Sequence, residues 1–214
     1  YKTIVFYDGM QGFHNSCDEN HVRDFAQLTN SSLSGNTIKC EFKGKANSAS
    51  NIVRAAVSQN QSPTVVVLNL ASRYITSPDN MDQSEVDSFT NLMLATLESK
   101  DVRTENGPLK NSVIMIVNKV NDIPAWFYLD NPNVKTINIG PPTKEEREQL
   151  IKGENFSSFF AADVYEEDAP YYEEHLDELE RIQDRFVGLT EGFSFTEING
   201  LRRLCKNEKT RIAH

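Results

Sequence analysis

The sequence predicts an α/β protein, with a doubly wound, five-stranded parallel sheet followed by a small helical domain. Short apolar runs of strand length alternate with stretches of helical period over the first 140 or so residues, which is typical of a parallel sheet with right-handed crossovers. The rest of the chain shows only helical period. We therefore predict two domains, an α/β core at residues 1–142 and a helical domain at residues 143–214.

Five runs rich in Val and Ile are the predicted strands. Two of them, at residues 65–68 and 113–117, show no polar alternation, and this pattern is typical of strands covered on both faces. We expect these two runs to lie in the centre of the sheet. The full set comprises residues 3–7, 37–42, 64–70, 113–117 and 134–139.

Apolar residues recur at helical spacing in the segments between these strands, at residues 18–28, 48–59 and 82–99. In the second domain a hydroxyl residue is twice followed, three positions later, by a glutamate. This is the capping-box signature of a helix start. It predicts helices that begin after Thr143 and after Ser194.

The composition of the chain disfavours several classes of protein. The 214 residues carry a net charge of -9, which disfavours a nucleic-acid partner held by phosphate contacts. No apolar run approaches the roughly 20 residues that span a bilayer, so no membrane partner is expected. Three widely spaced cysteines and four histidines without metal-ligand spacing favour neither a disulfide framework nor a metal site. We expect a reducing, cytoplasmic location, and a chain that opens without Met suggests a piece of a longer polypeptide.

The first strand-to-helix loop, residues 8–16, is where a sheet of this type usually binds its ligand. A phosphate-binding loop needs the pattern GxxxxGK[ST], and the chain never provides it. Gly9 and Gly12 in this loop are therefore expected to serve a tight turn.

The ends of the third and fourth predicted strands also lack phosphate chemistry. Where a P-loop ATPase carries Asp-Glu after an apolar strand, this chain has Asn69 and Leu70. Without a Lys and these carboxylates, a site can neither neutralise a triphosphate nor hold Mg²⁺. Asn69 either hydrogen-bonds its loop or contacts a ligand. Asn118, directly after the fourth strand, either senses a phosphate or satisfies loop backbone groups.

Taken together, the order of elements resembles the AAA+ ATPase fold, with strands at the Walker B and sensor-1 registers followed by a helical lid. The resemblance covers essentially the whole chain. It is carried by the helix after the Walker B register, the sensor-1 strand ending in Asn118, the arginine-finger segment, the entry into the lid and the start of the last lid helix, at residues 87–99, 113–118, 122–132, 140–147 and 189–194.

The resemblance departs from the family where its chemistry lies, because the Walker A loop, both Walker B carboxylates and the arginine of the finger segment are missing. The chain is thus similar to the P-loop-less N-terminal module of tandem AAA+ proteins. This implies a non-enzymatic structural, oligomerisation or regulatory module with no catalytic residue, no metal and no cofactor of its own, ATP and Mg²⁺ belonging to the intact protein. The vestigial nucleotide face would comprise Gly9, Gly12, Asn69 and Asn118.

Two other functions stay open at this stage. One is an atypical ATP-binding AAA+ enzyme that uses Asn118 with Lys45 or Lys119, and the other is a flavodoxin-like interaction domain that binds no nucleotide. The expected partners are another AAA+ module or a second copy of the chain. The acidic stretch at residues 166–184 is either a solvated helix face or a docking surface for a basic protein.

Overall fold

The computed structural model describes residues 1–44 and 47–212. The chain forms two compact units, Tyr1–Thr136 and Ile137–His214, and the division lies six residues before the predicted one. The first unit is α/β and the second is helical. Within the described residues, no helix has the length and apolar character needed to cross a membrane.

The first unit contains a four-stranded sheet in the order β2-β1-β3-β6 and a separate β4-β5 hairpin. Strands β1, β3 and β6 run parallel to their neighbours, whereas β2 folds back antiparallel on β1. The strands are β1 Thr3–Asp8, β2 Gly12–His14, β3 Thr64–Leu68, β4 Asp101–Thr104, β5 Gly107–Lys110 and β6 Ser112–Met115, and the helices are α1 Glu19–Thr29, α2 Ala49–Ser58, α3 Gln83–Glu98 and α4 Ala125–Tyr128.

The predicted sheet of five parallel strands is therefore wrong in number and in direction. Residues 37–42 make only isolated bridges, from Thr37 to Ser34 and from Ile38 to Phe13, because a short hairpin strand already occupies that edge of β1. Residues 134–139 lie outside the strands, with Ile137 and Ile139 largely exposed.

Strand β3 lies between β1 and β6 and is buried along its whole length, as predicted for residues 65–68. The prediction of a central position for residues 113–117 is wrong. Strand β6 is an edge strand, and Ile114 and Ile116 are each 49% exposed. An uninterrupted apolar run thus arises here without burial on both faces.

The core of the first unit joins all four of its helices to one face of the sheet. Val5 and Val66 are partners across the β1-β3 pair and share this face. They belong to one buried cluster together with residues of α1, α2, α3 and α4, among them Phe25, Val53 and Phe89. Helices α1, α2 and α3 begin within one residue of the predicted segments.

The second unit is built from α5 Lys144–Ile151, α6 Ala162–Glu174, α7 Leu176–Leu189 and α8 Phe195–Asn207. Both predicted capping boxes are present, at Thr143 with Glu146 and at Ser194 with Glu197. Its own core is a cluster rich in phenylalanine, in which the Phe156 ring contacts Phe160 and Phe186, and the Phe186 ring also contacts Phe159.

Two further features of the second unit bear on the sequence predictions. Arg147, at the position that resembles the entry into a lid, is buried and donates a hydrogen bond to the Pro142 carbonyl at 2.9 Å. Most of the predicted acidic stretch is exposed, but Glu167 and Asp168 form ion pairs with Arg211. The charge of this stretch is thus partly compensated within the unit.

Candidate functional site

The loop after β1 is arranged around Asp8, the last residue of that strand. Its buried carboxylate accepts hydrogen bonds through Oδ1 from the Met10 N–H at 2.9 Å and the Gln11 N–H at 2.8 Å. Its Oδ2 lies 3.8 Å from Nε2 of His14. Convergent backbone amides of a loop are the groups that hold phosphate in a P-loop. Here two of them are already bound to a carboxylate of the chain itself.

The start of α1, the other element that would bind an anion, is occupied in the same way. The Asp18 side chain caps the helix by accepting the Asn20 N–H at 2.9 Å. Glu19 adds a second carboxylate in the first turn. A helix N-terminus attracts anions through its free amides and its dipole. Because Asp18 and Glu19 already supply negative charge there, a phosphate would be repelled.

The two glycines predicted in this loop have different surroundings. Gly9 is exposed, and a Cβ at this position would meet nothing within 4 Å. Gly12 begins β2 with φ +78°, and a Cβ there would lie 2.2 Å from the Ile38 carbonyl oxygen. Gly12 therefore permits both the left-handed backbone and the close approach of residue 38.

Asn69 acts through its backbone. Its N–H donates to the Tyr7 carbonyl at 2.8 Å and extends the β1-β3 pairing, and its carbonyl accepts the Tyr74 hydroxyl at 2.8 Å. The next residue, Leu70, is exposed in the left-handed conformation at φ 55°. The backbone turns away from the sheet at the register where a P-loop ATPase carries its acidic pair.

Asn118 lies at the end of the β6 segment with an exposed side chain. Its backbone N–H donates to the Ser72 hydroxyl at 2.7 Å, so its backbone position is tied to the turn after β3. Lys119 is also exposed, and Lys45, the other cation considered for an atypical nucleotide site, lies outside the described residues.

A cleft of about 520 Å³ opens at the carboxyl ends of β1 and β3. Ligands of open α/β sheets bind outside the carboxyl ends of the strands. Of the four predicted site residues only Gly9 lines it, with Glu41, Phe42, Lys43, Gly44, Arg73, Tyr74 and Ser84.

The walls of the cleft combine aromatic rings with charges that largely compensate each other. Phe42 and Tyr74 pack with their ring centroids 4.3 Å apart. The Lys43 ammonium donates to the buried Glu85 carboxylate at 2.7 Å and lies 3.5 Å from Asp82. This hydrogen bond raises the pKa of Lys43 and lowers that of Glu85. Lys43 is thus neutralised by its own neighbours and is a poor partner for a phosphate.

Tyrosine hydroxyls at the base of the cleft are held in their neutral form. Tyr74 donates to the carbonyls of Tyr7 and Asn69, and Tyr7 donates to the Cys40 carbonyl. Burial raises the pKa of both tyrosines well above the ordinary value. Burial also raises the pKa of the Cys40 thiol, to about 11. These groups organise the backbone, and their raised pKa values leave them unsuited to act as bases or nucleophiles at neutral pH.

The histidines near this loop likewise have structural partners. His21 Nδ1 accepts the Ile4 N–H at 2.8 Å, and His14 Nδ1 lies 3.0 Å from the Gly12 carbonyl oxygen. Across residues 1–44 and 47–212, no three His, Cys, Asp or Glu side chains gather in a way that could hold a metal ion.

No sequence-based prediction concerned Asp8, the residue that organises the loop. The signal was present, because an Asp followed by Gly is the usual start of a turn in which the side chain accepts backbone N–H groups. Lys43 and Glu85 were also missed. Residues 42 positions apart give no local signal of pairing, and only the tertiary structure brings them together.

Comparison with known proteins supplies the family. Residues 1–140 match the family model described as AAA+ chaperone, N-terminal Rossmann-like domain. The chain belongs to this family. The AAA+ resemblance drawn from the sequence is thereby confirmed, and the mixed sheet with its helices fits a Rossmann-like AAA+ N-terminal domain. Searches of curated proteins and of solved structures found no match for the chain.

Proposed function

We propose that this AAA+ chaperone N-terminal domain is a non-hydrolytic module of a larger AAA+ protein, in which it acts as a scaffold for assembly with another AAA+ module or with a second copy of itself. The observation that supports the proposal is that the loop after β1 and the start of α1, the elements expected to bind a phosphate, are already bound by carboxylates of the chain itself. Asp8 binds the amides of the first loop, and Asp18 caps the following helix.

The electrostatics of the loop support this role. A triphosphate carries several negative charges and needs fixed cations or Mg²⁺ held by acidic ligands. Lys43 is paired with Glu85, and Asn69 and Leu70 stand where the acidic pair would be. Arg73 is then the one cation in the lining of the cleft that forms no ion pair within the described residues. One exposed arginine in a cleft that Glu41 also lines is too little charge to hold ATP.

The test is nucleotide binding by the purified 214-residue chain. A ligand that binds only the folded state raises stability by RT ln(1 + [L]/Kd), so saturating ATP with Mg²⁺ would produce a measurable thermal shift. We expect no shift, no heat of binding in titration calorimetry and no phosphate release. The proposal fails if MgATP binds stoichiometrically.

Two variants sharpen this test. Asp8→Asn removes the carboxylate from the loop but keeps an oxygen that can accept the Met10 and Gln11 amides, and Asp87→Asn removes an exposed carboxylate of α3 as a control for net charge. We expect neither variant to bind MgATP, because the missing Lys and acidic pair are not restored. Binding lost on substitution of Asn118 would instead support the atypical ATP-binding enzyme.

A further inference from the structure

The two edges of the four-stranded sheet differ in whether their outward backbone groups form hydrogen bonds. At the β2 edge, Phe13 and Ile38 exchange backbone hydrogen bonds of 2.9 and 3.0 Å. Beyond the end of β2, the Ile4 N–H donates to His21 Nδ1 and the Ile4 carbonyl accepts Nδ2 of Asn15, both at 2.8 Å. Backbone and side-chain groups therefore close this edge.

The β6 edge has no such cover. The Ile116 N–H donates to the Leu68 carbonyl and the Ile116 carbonyl accepts the Ala71 N–H, both at 2.9 Å, so Ile116 directs its backbone groups toward β3. Because alternate residues of a strand bond to opposite neighbours, Val113, Met115 and Val117 direct theirs outward. Among residues 1–44 and 47–212, no group forms a hydrogen bond to these outward backbone groups.

The side chains of this edge are also unprotected. Ile114 and Ile116 are each 49% exposed on one face, whereas Val113, Met115 and Val117 pack against the core on the other. Residues 111–118 contain no charge, no Pro and no Gly. Natural edge strands are usually blunted by charges, Pro or bulges. Short, uncharged, β-forming segments without Pro are those that pair with identical copies of themselves.

We propose that the β6 edge, which comprises Ser112–Met115 and the extended residues 116 and 117 that follow it, is a homodimerisation surface, on which this edge of one chain pairs antiparallel with the same edge of a second copy about a two-fold axis at Met115. This register places Val113 opposite Val117 of the second copy, and each such outward pair exchanges two hydrogen bonds. It places Ile114 opposite Ile116 of the second copy on the same face, with Cβ atoms about 4.5–5.5 Å apart. The pairing brings no like charges together.

A second copy fits this edge better than an open-ended stack does. The two-fold pairing joins two four-stranded sheets into one, and its two ends are the closed β2 edges, so assembly stops at the dimer. The inference rests on the assembly role proposed above and names the surface that performs it. An edge of this length buries less than the roughly 800 Å² per partner of a standard interface, so we expect a micromolar dimer.

Sedimentation velocity of the 214-residue chain across a concentration series tests the surface. We expect a monomer–dimer equilibrium, and a dissociation constant raised more than about tenfold in the double variant Ile114→Lys with Ile116→Lys. Leu97→Lys, at an exposed apolar position on α3, is the matched control and should dimerise like the wild type. Trp126 fluorescence and thermal midpoints verify that each variant is folded. Mixing the double Lys variant with the corresponding double Glu variant should restore a dimer, now mixed.

Cysteine pairing tests the register. In a Cys17→Ser background, which removes the exposed native thiol, Ile114→Cys and Ile116→Cys chains are oxidised separately and together. We expect a disulfide-linked dimer from the mixture and little from either alone, because residue 114 faces residue 116 of the second copy. Efficient linkage of either variant with itself would overturn the register.

A wild-type chain that stays monomeric at several hundred micromolar, or a dimer that the Lys variant does not weaken, would overturn the surface. These results are separate from those of the nucleotide test. A monomer that binds no MgATP counts against the dimerisation surface alone, whereas a dimer that binds MgATP counts against the non-hydrolytic module.

Discussion

The two units differ in the sequence separation of the contacts that form their secondary structure. In the first unit, strand β1 pairs with β3 some sixty positions away, and Asn111 bonds backbone groups more than forty positions before it. In the second unit, helices α5 and α8 begin at capping boxes whose partners are three residues apart, although distant ion pairs such as that of Glu167 with Arg211 are also present there. These helix starts in the second unit are therefore determined by neighbouring residues. The sheet of the first unit depends on contacts between distant segments, which no short segment encodes.

The first prediction concerns a long-range contact of the first unit, and its substitution should change the free energy of unfolding most. Asn111 is buried, and its side chain accepts the Thr64 N–H at 2.8 Å and donates to the carbonyls of Val57 and Gln59 at 3.1 and 2.7 Å. Asn111→Ala removes the acceptor of the buried Thr64 N–H and the donor to the two carbonyls, of which Val57 still accepts the Lys100 N–H. We expect a loss of about 3–5 kcal/mol in the free energy of unfolding.

Urea unfolding followed by the fluorescence of Trp126, the single tryptophan, measures this loss in the first unit. Asn118→Ala, at an exposed asparagine, is the control and should change stability by less than about 0.5 kcal/mol. Equal effects of the two variants would show that the Asn111 contacts do not hold the sheet together.

The next effect concerns the closed edge of the sheet. Gly12→Ala forces a Cβ to within 2.2 Å of the Ile38 carbonyl oxygen at a positive φ, and we expect it to cost about 2–3 kcal/mol. Gly9→Ala, in the same loop but with open space around it, should be tolerated. The same fluorescence assay compares the two, and a Gly9→Ala variant as unstable as Gly12→Ala would contradict the structure of this turn.

A smaller effect depends on pH. The buried Glu85 accepts hydrogen bonds from the Lys43 ammonium and from the Asp82 N–H, and these lower its pKa below the ordinary 4.5. Because the folded pKa is lower than the unfolded one, the stabilisation is complete above about pH 4.5 and is lost as the pH falls through the lowered value. Glu85→Gln should cost about 1–2 kcal/mol at pH 7.

The measurement is the urea midpoint at pH 7 and at pH 3. Wild-type protein should lose more stability between these values than Glu85→Gln does. Asp87→Asn, at an exposed carboxylate on the same helix, should keep the wild-type dependence. A Glu85→Gln variant with an unchanged acid dependence would exclude Glu85 as its source.

The smallest effect tests the local side of the comparison. Ser194 accepts the Glu197 N–H at 3.3 Å, and its own N–H donates to the Glu197 carboxylate at 2.7 Å. Ser194→Ala should cost about 1 kcal/mol, a value typical of a lost N-cap. Thermal unfolding followed by circular dichroism measures it, with the exposed Thr196→Ala as control. A loss as large as that of Asn111→Ala would contradict the contrast between the units.

Local patterns predicted much of the secondary structure. Helix α3 was predicted at residues 82–99 and spans Gln83–Glu98 because its apolar period and its Asp82 cap lie within one segment. The β4-β5 hairpin was missed although Asn106-Gly107 is a strong turn signal. The run at residues 134–139 has strand-like alternation but pairs with no strand in the part of the chain that the structure describes, and alternation by itself does not supply a partner.

For the candidate site, the sequence showed which motifs are absent, and the structure showed which contacts the residues of the first loop make. The absent phosphate loop and acidic pair could be read directly, because those motifs are contiguous. The cleft could not be predicted from the sequence, because Gly9, residues 41–44 and Tyr74 come from three separate parts of the chain.

The amino-acid pattern alone predicted the α/β class of the first unit and the helix starts at Asp18, Asp82, Thr143 and Ser194, and it showed that the P-loop motifs are absent. These features depend on residues that lie within a few positions of one another, and they do not require particular distant segments to meet. Four features could be seen only in the folded chain: the strand order, the closure of the β2 edge, the exposure of β6 and the pairing of Lys43 with Glu85. Each of these depends on which distant segments meet in the folded chain, and that choice is made by the packing of the whole unit.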